Sequence, residues 1–241
     1  MMTRSRPTSL SVLHAEMRRR SSKGKAEILQ RFFKTGPGEY GEGDVFLGIP
    51  VPVIRQMSKK YKALSFKNLE KLVQSKFHEE RLLALLILVL QSRGATEGER
   101  KKIYDFYLRH MGCVNNWDLV DLSAEHLIGA HLMKRDKSIL YQWAASKSLW
   151  KKRIAMMSTF HFVKNHRFSE TLKLAKVLLG DEEDLIHKAV GWMLREIGKR
   201  NQEVEERFLN SHYQRMPRTM LRYAIERFPE KRRLAYLRGT I

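Results

Sequence analysis

The chain has 241 residues, with 46 Lys and Arg against 26 Asp and Glu, and a formal net charge of +20. Hydrophobic residues make up 43% and aromatic residues 10%, enough for a core, which excludes a disordered basic tail. The longest apolar run, 82–90, is nine residues, short of the roughly 18 that a membrane-spanning helix needs, and the single cysteine, Cys113, excludes an internal disulfide.

Residues 1–13 are basic and rich in Ser, with no acid before Glu16. They lack the apolar stretch of about 7–15 residues that a secretory signal requires. A transit peptide shares this composition with a frayed basic terminus. The reading adopted is a flexible basic N-terminus over 1–24, one domain over 25–241, and a cytoplasmic protein.

The stretch 35–52 is rich in Gly and Pro and contains G-x-G-x-x-G at Gly36, Gly38 and Gly41. A dinucleotide site needs a strand before this pattern and a helix directly after it. Here a helical stretch precedes it and Pro and further Gly follow, so a structured loop is predicted. From 67 to 91 the apolar positions recur at three and four and close into the 82–90 run, which predicts a central buried helix. Gly94 is its stop, and Thr96 with Glu99 forms a capping-box pattern. Further helices are predicted at 97–109, 117–133, 137–145, 150–165, 169–179, 181–199, 203–209, 217–227 and 229–237. Asn115 or Asn116 caps the one beginning at Trp117. Asp181, Glu182, Glu183 and Asp184 load the first turn of 181–199, and Arg195, Lys199 and Arg200 its last, both matching the helix dipole. Pro217 and Pro229 fall where a first helical residue belongs. No segment alternates as a strand does, so the fold class is all-α.

Helix pairs recur at roughly 30–40 residues, near the period of HEAT and armadillo repeats. Charged or aromatic positions fall in successive second helices: Arg81, Trp117 with Asp121, Arg153, Trp192 with Arg195, and Arg222. This predicts a HEAT-like helical-repeat solenoid whose second helices line a basic concave face. The charge points to a polyanion. Nucleic acid comes first, because neutralised phosphates release counterions; an anionic membrane surface is second, and an ordinary basic protein third.

Metal chemistry has little support. His78-Glu79-Glu80-Arg81-Leu82 begins like a zincin motif and lacks the second His. Cys113 reads as a small core residue, and no Ser-nucleophile motif occurs. The stretch from Cys113 to Asp121 is more informative. The Asn pair and Asp118 suit a helix start, which leaves Asp121 unexplained. It lies four residues after Trp117, on the same helix face, among apolar neighbours. A functional carboxylate and a structural ion-pair partner both fit. Trp192 and Arg195 share a face three residues apart, with Trp192 either core or site. Arg153 sits among apolar positions and needs a carboxylate or phosphate partner.

Four stretches together resemble the AlkD family of DNA alkylation repair glycosylases, over residues from about 28 to 237. They are Phe46-Leu47-Gly48-Ile49-Pro50-Val51-Pro52, Asn116-Trp117-Asp118-Leu119-Val120-Asp121, Trp150-Lys151-Lys152-Arg153, and Ala189-Val190-Gly191-Trp192-Met193-Leu194-Arg195-Glu196. The Gly-rich loop before Phe46 is longer than the family pattern, and Pro50 stands where some members carry a polar residue. The resemblance implies a helical solenoid that cups duplex DNA and excises cationic alkylated purines, 3-methyladenine and 7-methylguanine, in base excision repair. It places the catalytic roles on Asp121, Trp117, Trp192 and Arg153, and a backbone contact on Arg195. Lys151, Lys152 and Lys199 are the further DNA-binding candidates. No metal or organic cofactor is implied, nor a membrane; a monomer acting on nucleoid DNA in the cytoplasm is expected. The competing readings are a non-catalytic helical-repeat nucleic-acid-binding protein and a protein-interaction scaffold.

Overall fold

A computed structural model of the chain describes residues 9–241. These residues form helices joined by turns and loops, with no strand among them; the one β-type pairing is an isolated parallel bridge between Val45 and Phe77. The contacts divide the chain into two compact units, up to Ser123 and from Ala124 to Ile241.

The first unit opens with α1 (Leu10–Arg20) and α2 (Lys23–Phe32). Of the expected flexible terminus, 1–8 lie outside the described residues, and most of 9–24 is helical. Leu13 and Met17 of α1 are buried, and the buried Glu16 accepts from Lys60 Nζ at 2.5 Å and the Tyr61 hydroxyl at 2.8 Å. These anchors escape a reading based on charge alone, because the apolar positions are few.

After the Gly-rich loop come α3 (Val51–Lys60), α4 (Phe66–Val73), α5 (His78–Ser92), α6 (Glu97–Arg109) and α7 (Trp117–Asp121). The stretch 67–91 is thus two helices, with the buried run on α5, broken by residues 74–77. Gly94 adopts φ +78°, and Thr96 and Glu99 form the reciprocal capping box. The Gly-rich segment is a structured loop, as predicted. Glu79 on α5 accepts from the backbone N–H groups of Leu47 and Gly48, each at 2.8 Å, and of Ile49 at 3.1 Å. Gly48, at φ +76°, lies so close to α2 that a Cβ would meet the Ser22 carbonyl at 2.2 Å.

The segment predicted as 117–133 is interrupted. After α7 the chain turns at Leu122 and Ser123, then forms a π-helical turn (Glu125–Gly129) and α8 (Ala130–Leu132). The second unit continues with α9 (Ser138–Ala144), α10 (Leu149–Ser158), α11 (Phe160–Lys164), α12 (Ser169–Val177), α13 (Asp184–Gly198), α14 (Gln202–His212), α15 (Arg218–Ala224) and α16 (Glu230–Arg238). Close approach explains two of its glycines: a Cβ would lie 2.1 Å from the Ser158 carbonyl at Gly129 and 2.4 Å from the Met220 carbonyl at Gly191. Two local expectations shift by a few residues. α13 starts at Asp184, so Asp181 precedes it and instead binds Lys152 Nζ at 2.6 Å. Pro217 and Pro229 occupy the cap positions before α15 and α16.

Candidate functional site

In the first unit Trp117 and Asp121 begin and end α7, so both project from one short helix four residues apart. Asn116 caps it, its side-chain oxygen accepting from the Trp117 N–H at 2.8 Å. Trp117 and Asp121 are both half-buried. Burial pushes the Tyr107 phenol up, and the nearby Asp121 charge adds to that push despite a contact with Ser123. Asp121 is therefore within electrostatic reach of a fully buried ring.

The support under α7 is a buried polar network. His78 bonds Asp118 through Nε2 at 2.8 Å and Asp44 through Nδ1 at 3.1 Å. Asp44 also takes the Arg81 guanidinium at 2.5 Å and the Asn116 amide at 3.1 Å. Burial disfavours the charged imidazole, but the Asp118 and Asp44 carboxylates outweigh burial and raise its pKa to about 9. Burial would likewise raise Asp44, yet His78 and Arg81 hold it below the usual carboxylate range. Aromatic contacts run from this imidazolium to the site: His78 stacks on Phe46 (4.5 Å), Phe46 on Phe33 (5.0 Å), and Phe33 on Trp117 (5.1 Å, 18°).

These groups correct several readings. Asp118 is a buried ion-pair partner as well as a first-turn acid. His78 and Glu79 serve the fold, where the sequence shows a truncated zincin motif. Arg81, grouped with the second-helix positions of a basic face, is buried against Asp44 and the Ser75 carbonyl. Cys113 is half-buried rather than core. The network escaped sequence reading because its bonds to Asp44 and His78 span 34 to 72 residues, and Asp118 reads locally as no more than a first-turn acid.

In the second unit Arg153 lies on α10, 4% exposed, and its guanidinium donates to the Leu185 carbonyl of α13. The partner that a buried cation requires is met at least in part by that carbonyl. Trp192 is half-buried on α13, donates to Glu196 at 3.3 Å, and lies 5.9 Å from the Phe160 ring. Burial would raise Glu196, but Lys199, Arg200 and Trp192 together lower it. Of the DNA-binding candidates, Arg195 pairs with Glu226, Lys152 with Asp181, and Lys199 with Glu196; Lys151 is exposed. Among the described residues no group of three or more His, Cys, Asp or Glu could hold a metal ion, and no helix is long and apolar enough to cross a membrane.

This order of helices defines an all-α protein of the type seen in solved DNA alkylation repair proteins. The structure of a predicted DNA alkylation repair enzyme from Enterococcus faecalis aligns at a TM-score of 0.68 and 17% identity, over 88% of this chain and 98% of that one. AlkD2 from Streptococcus mutans aligns at 0.54 and 17%, over 86% and 99% of the two chains. The protein smu.31 from Streptococcus mutans UA159 aligns at 0.53 and 16%, over 89% and 100%. No curated protein sequence matches the chain. The model of the DNA alkylation repair enzyme family matches residues 13–228, and the chain belongs to that family. It is accordingly an enzyme of DNA alkylation repair, with DNA as its partner.

Proposed function

We propose that the protein is a DNA glycosylase that hydrolyses the N-glycosidic bond of cationic alkylated purines, 3-methyladenine and 7-methylguanine, in duplex DNA. The observation that carries this is the pairing of a half-buried indole and a half-buried carboxylate, Trp117 and Asp121, on one helix of a chain in this family. An alkylated purine already carries a positive charge, so it departs without a general acid. The C1′–N bond breaks, its electron pair neutralises the purine, and positive charge develops on the sugar. Water then bonds to C1′ and loses a proton. Asp121 stabilises the sugar cation and orients or deprotonates the water. Trp117 and Trp192 offer π faces to the developing charge, and Arg153 holds a phosphate. Arg195, Lys151, Lys152 and Lys199 contact the DNA backbone; for Arg195, Lys152 and Lys199 this means exchanging an internal carboxylate for a phosphate. The enzyme works as a cytoplasmic monomer on nucleoid DNA, in a HEAT-like repeat fold, and the reaction opens base excision repair.

The test is release of free purine from methylated duplex DNA. The proposal predicts that the intact chain frees 7-methylguanine or 3-methyladenine in single turnover. It also predicts that Asp121→Asn and Arg153→Ala are non-additive, as groups serving one step are. No release of either purine would overturn it.

A further inference from the structure

We propose that the C-terminal end of α2 is a second DNA contact, in which Phe32 packs against a deoxyribose or base edge and Lys34 holds a phosphate. This rests on the DNA reading above and extends it to residues outside the four family-like stretches.

Phe32 and Ile28 are the most exposed large hydrophobic side chains described, at 61% and 59%. They lie four apart on one helix face, with Lys25 three residues before Ile28. A lone exposed apolar residue is ordinary. Phe32 is different because its ring is held: it meets Trp117 edge-on at 6.0 Å and Phe33 edge-on at 5.1 Å. The exposed ring thus continues the aromatic surface of the proposed catalytic indole.

The turn beside it carries a second signal. Lys34 adopts φ +50°, the left-handed region. Its N–H bonds the Arg31 carbonyl and the Thr35 N–H bonds the Gln30 carbonyl, each at 3.2 Å, the pattern of a Schellman motif. That position favours Gly, and a lysine there is strained. The turn cannot slip, because the Gly41 N–H bonds the Lys34 carbonyl at 3.0 Å and a Cβ on Gly41 would lie 2.5 Å from the Phe33 carbonyl. A strained residue held by its surroundings is a pointer to function. What lysine supplies and glycine does not is a cation, and Lys34, Lys25 and Arg31 are all exposed with no ion pair among the described residues. An exposed aromatic ring with exposed cations near it in sequence suits nucleic acid, whose sugars and bases take the ring and whose phosphates take the charges.

The experiment measures undamaged-duplex affinity against salt, and thermal stability, for the intact chain, Lys34→Gly and Phe32→Ala. Lys34→Gly is expected to raise the melting temperature and yet weaken binding, with the salt slope reduced by about 0.9. Phe32→Ala is expected to weaken binding at least about fivefold with the slope unchanged. Lys34→Gly that gains stability while keeping affinity and slope would overturn the inference, as would an intact chain whose affinity ignores salt, the outcome expected of a protein-docking surface. Binding losses in both variants sustain it even if the intact chain releases no purine, in which case only the glycosylase reading fails.

Discussion

His78 donates through Nε2 to Asp118 at 2.8 Å, and Asp118 is the residue that follows Trp117 on α7. The imidazolium thus sits between two carboxylates below the helix that carries Trp117 and Asp121, and its ring begins the stack that ends on Trp117. Its removal leaves Asp44 and Asp118 buried without their shared cation. His78→Ala is therefore expected to destabilise the protein by about 3–5 kcal/mol, read as a lowered denaturation midpoint in urea. A midpoint within experimental error of the intact chain would contradict this.

The same group sets a pH dependence. Its folded pKa of about 9 lies above the ordinary value of 6.5. Its contribution to stability is fully present below pH 6.5 and is lost as pH rises through about 9. Asp44 is shifted the other way, so its contribution holds above 3.8 and fades on acidification below it. The melting temperature should fall between pH 6.5 and 9.5, by less in His78→Ala than in the intact chain. Parallel curves would show that His78 does not carry the loss.

Glu205 on α14 adds to that slope. It is 2% exposed, with Oε1 lacking a partner, and it lies against Gly198. Burial, then the neighbouring Glu206 charge, push its pKa up to about 9, against the pull of Arg195. Folding therefore favours the protonated acid, and stability from this group is lost as pH rises from 4.5 toward 9. Glu205→Gln keeps the shape and removes the titration. It should raise the melting temperature more at pH 8 than at pH 5; an equal change at both would refute the assignment.

Gly191 precedes Trp192, and a Cβ there would lie 2.4 Å from the Met220 carbonyl and 2.5 Å from the Tyr223 Cβ. Since the first obstacle is backbone, α13 and α15 must move apart. Gly191→Ala should cost about 1–3 kcal/mol and lower any activity that uses Trp192. Gly98→Ala, in open space on α6, is the control and should stabilise by up to about 1 kcal/mol. Equal effects at the two sites would remove the packing argument.

The sequence made the local features legible. The all-α class, the capping box at Thr96, the cap at Asn116, the stop at Gly94 and the loop before Phe46 all follow from residues within a few positions of one another. What escaped it depends on pairings distant in the chain. Asp44, His78 and Asp118 meet across 34 and 40 residues, and Lys152 takes Asp181 from the expected first turn across 29. The break between α4 and α5 and the π turn after α7 are likewise settled by packing, as Gly129 against Ser158 illustrates, and the apolar spacing runs through both. The Phe46–Pro52 stretch was legible as a family likeness; its physical basis, the Glu79 carboxylate gathering three backbone N–H groups, was not.

The claim that matters most is the role of Asp121, and it is tested most directly by excision of 7-methylguanine and 3-methyladenine from methylated duplex by Asp121→Asn beside the intact chain. The account predicts that the intact chain releases purine, and that the variant keeps its fold and duplex affinity while its single-turnover rate falls about 100-fold or more. A variant that excises as fast as the intact chain would contradict it.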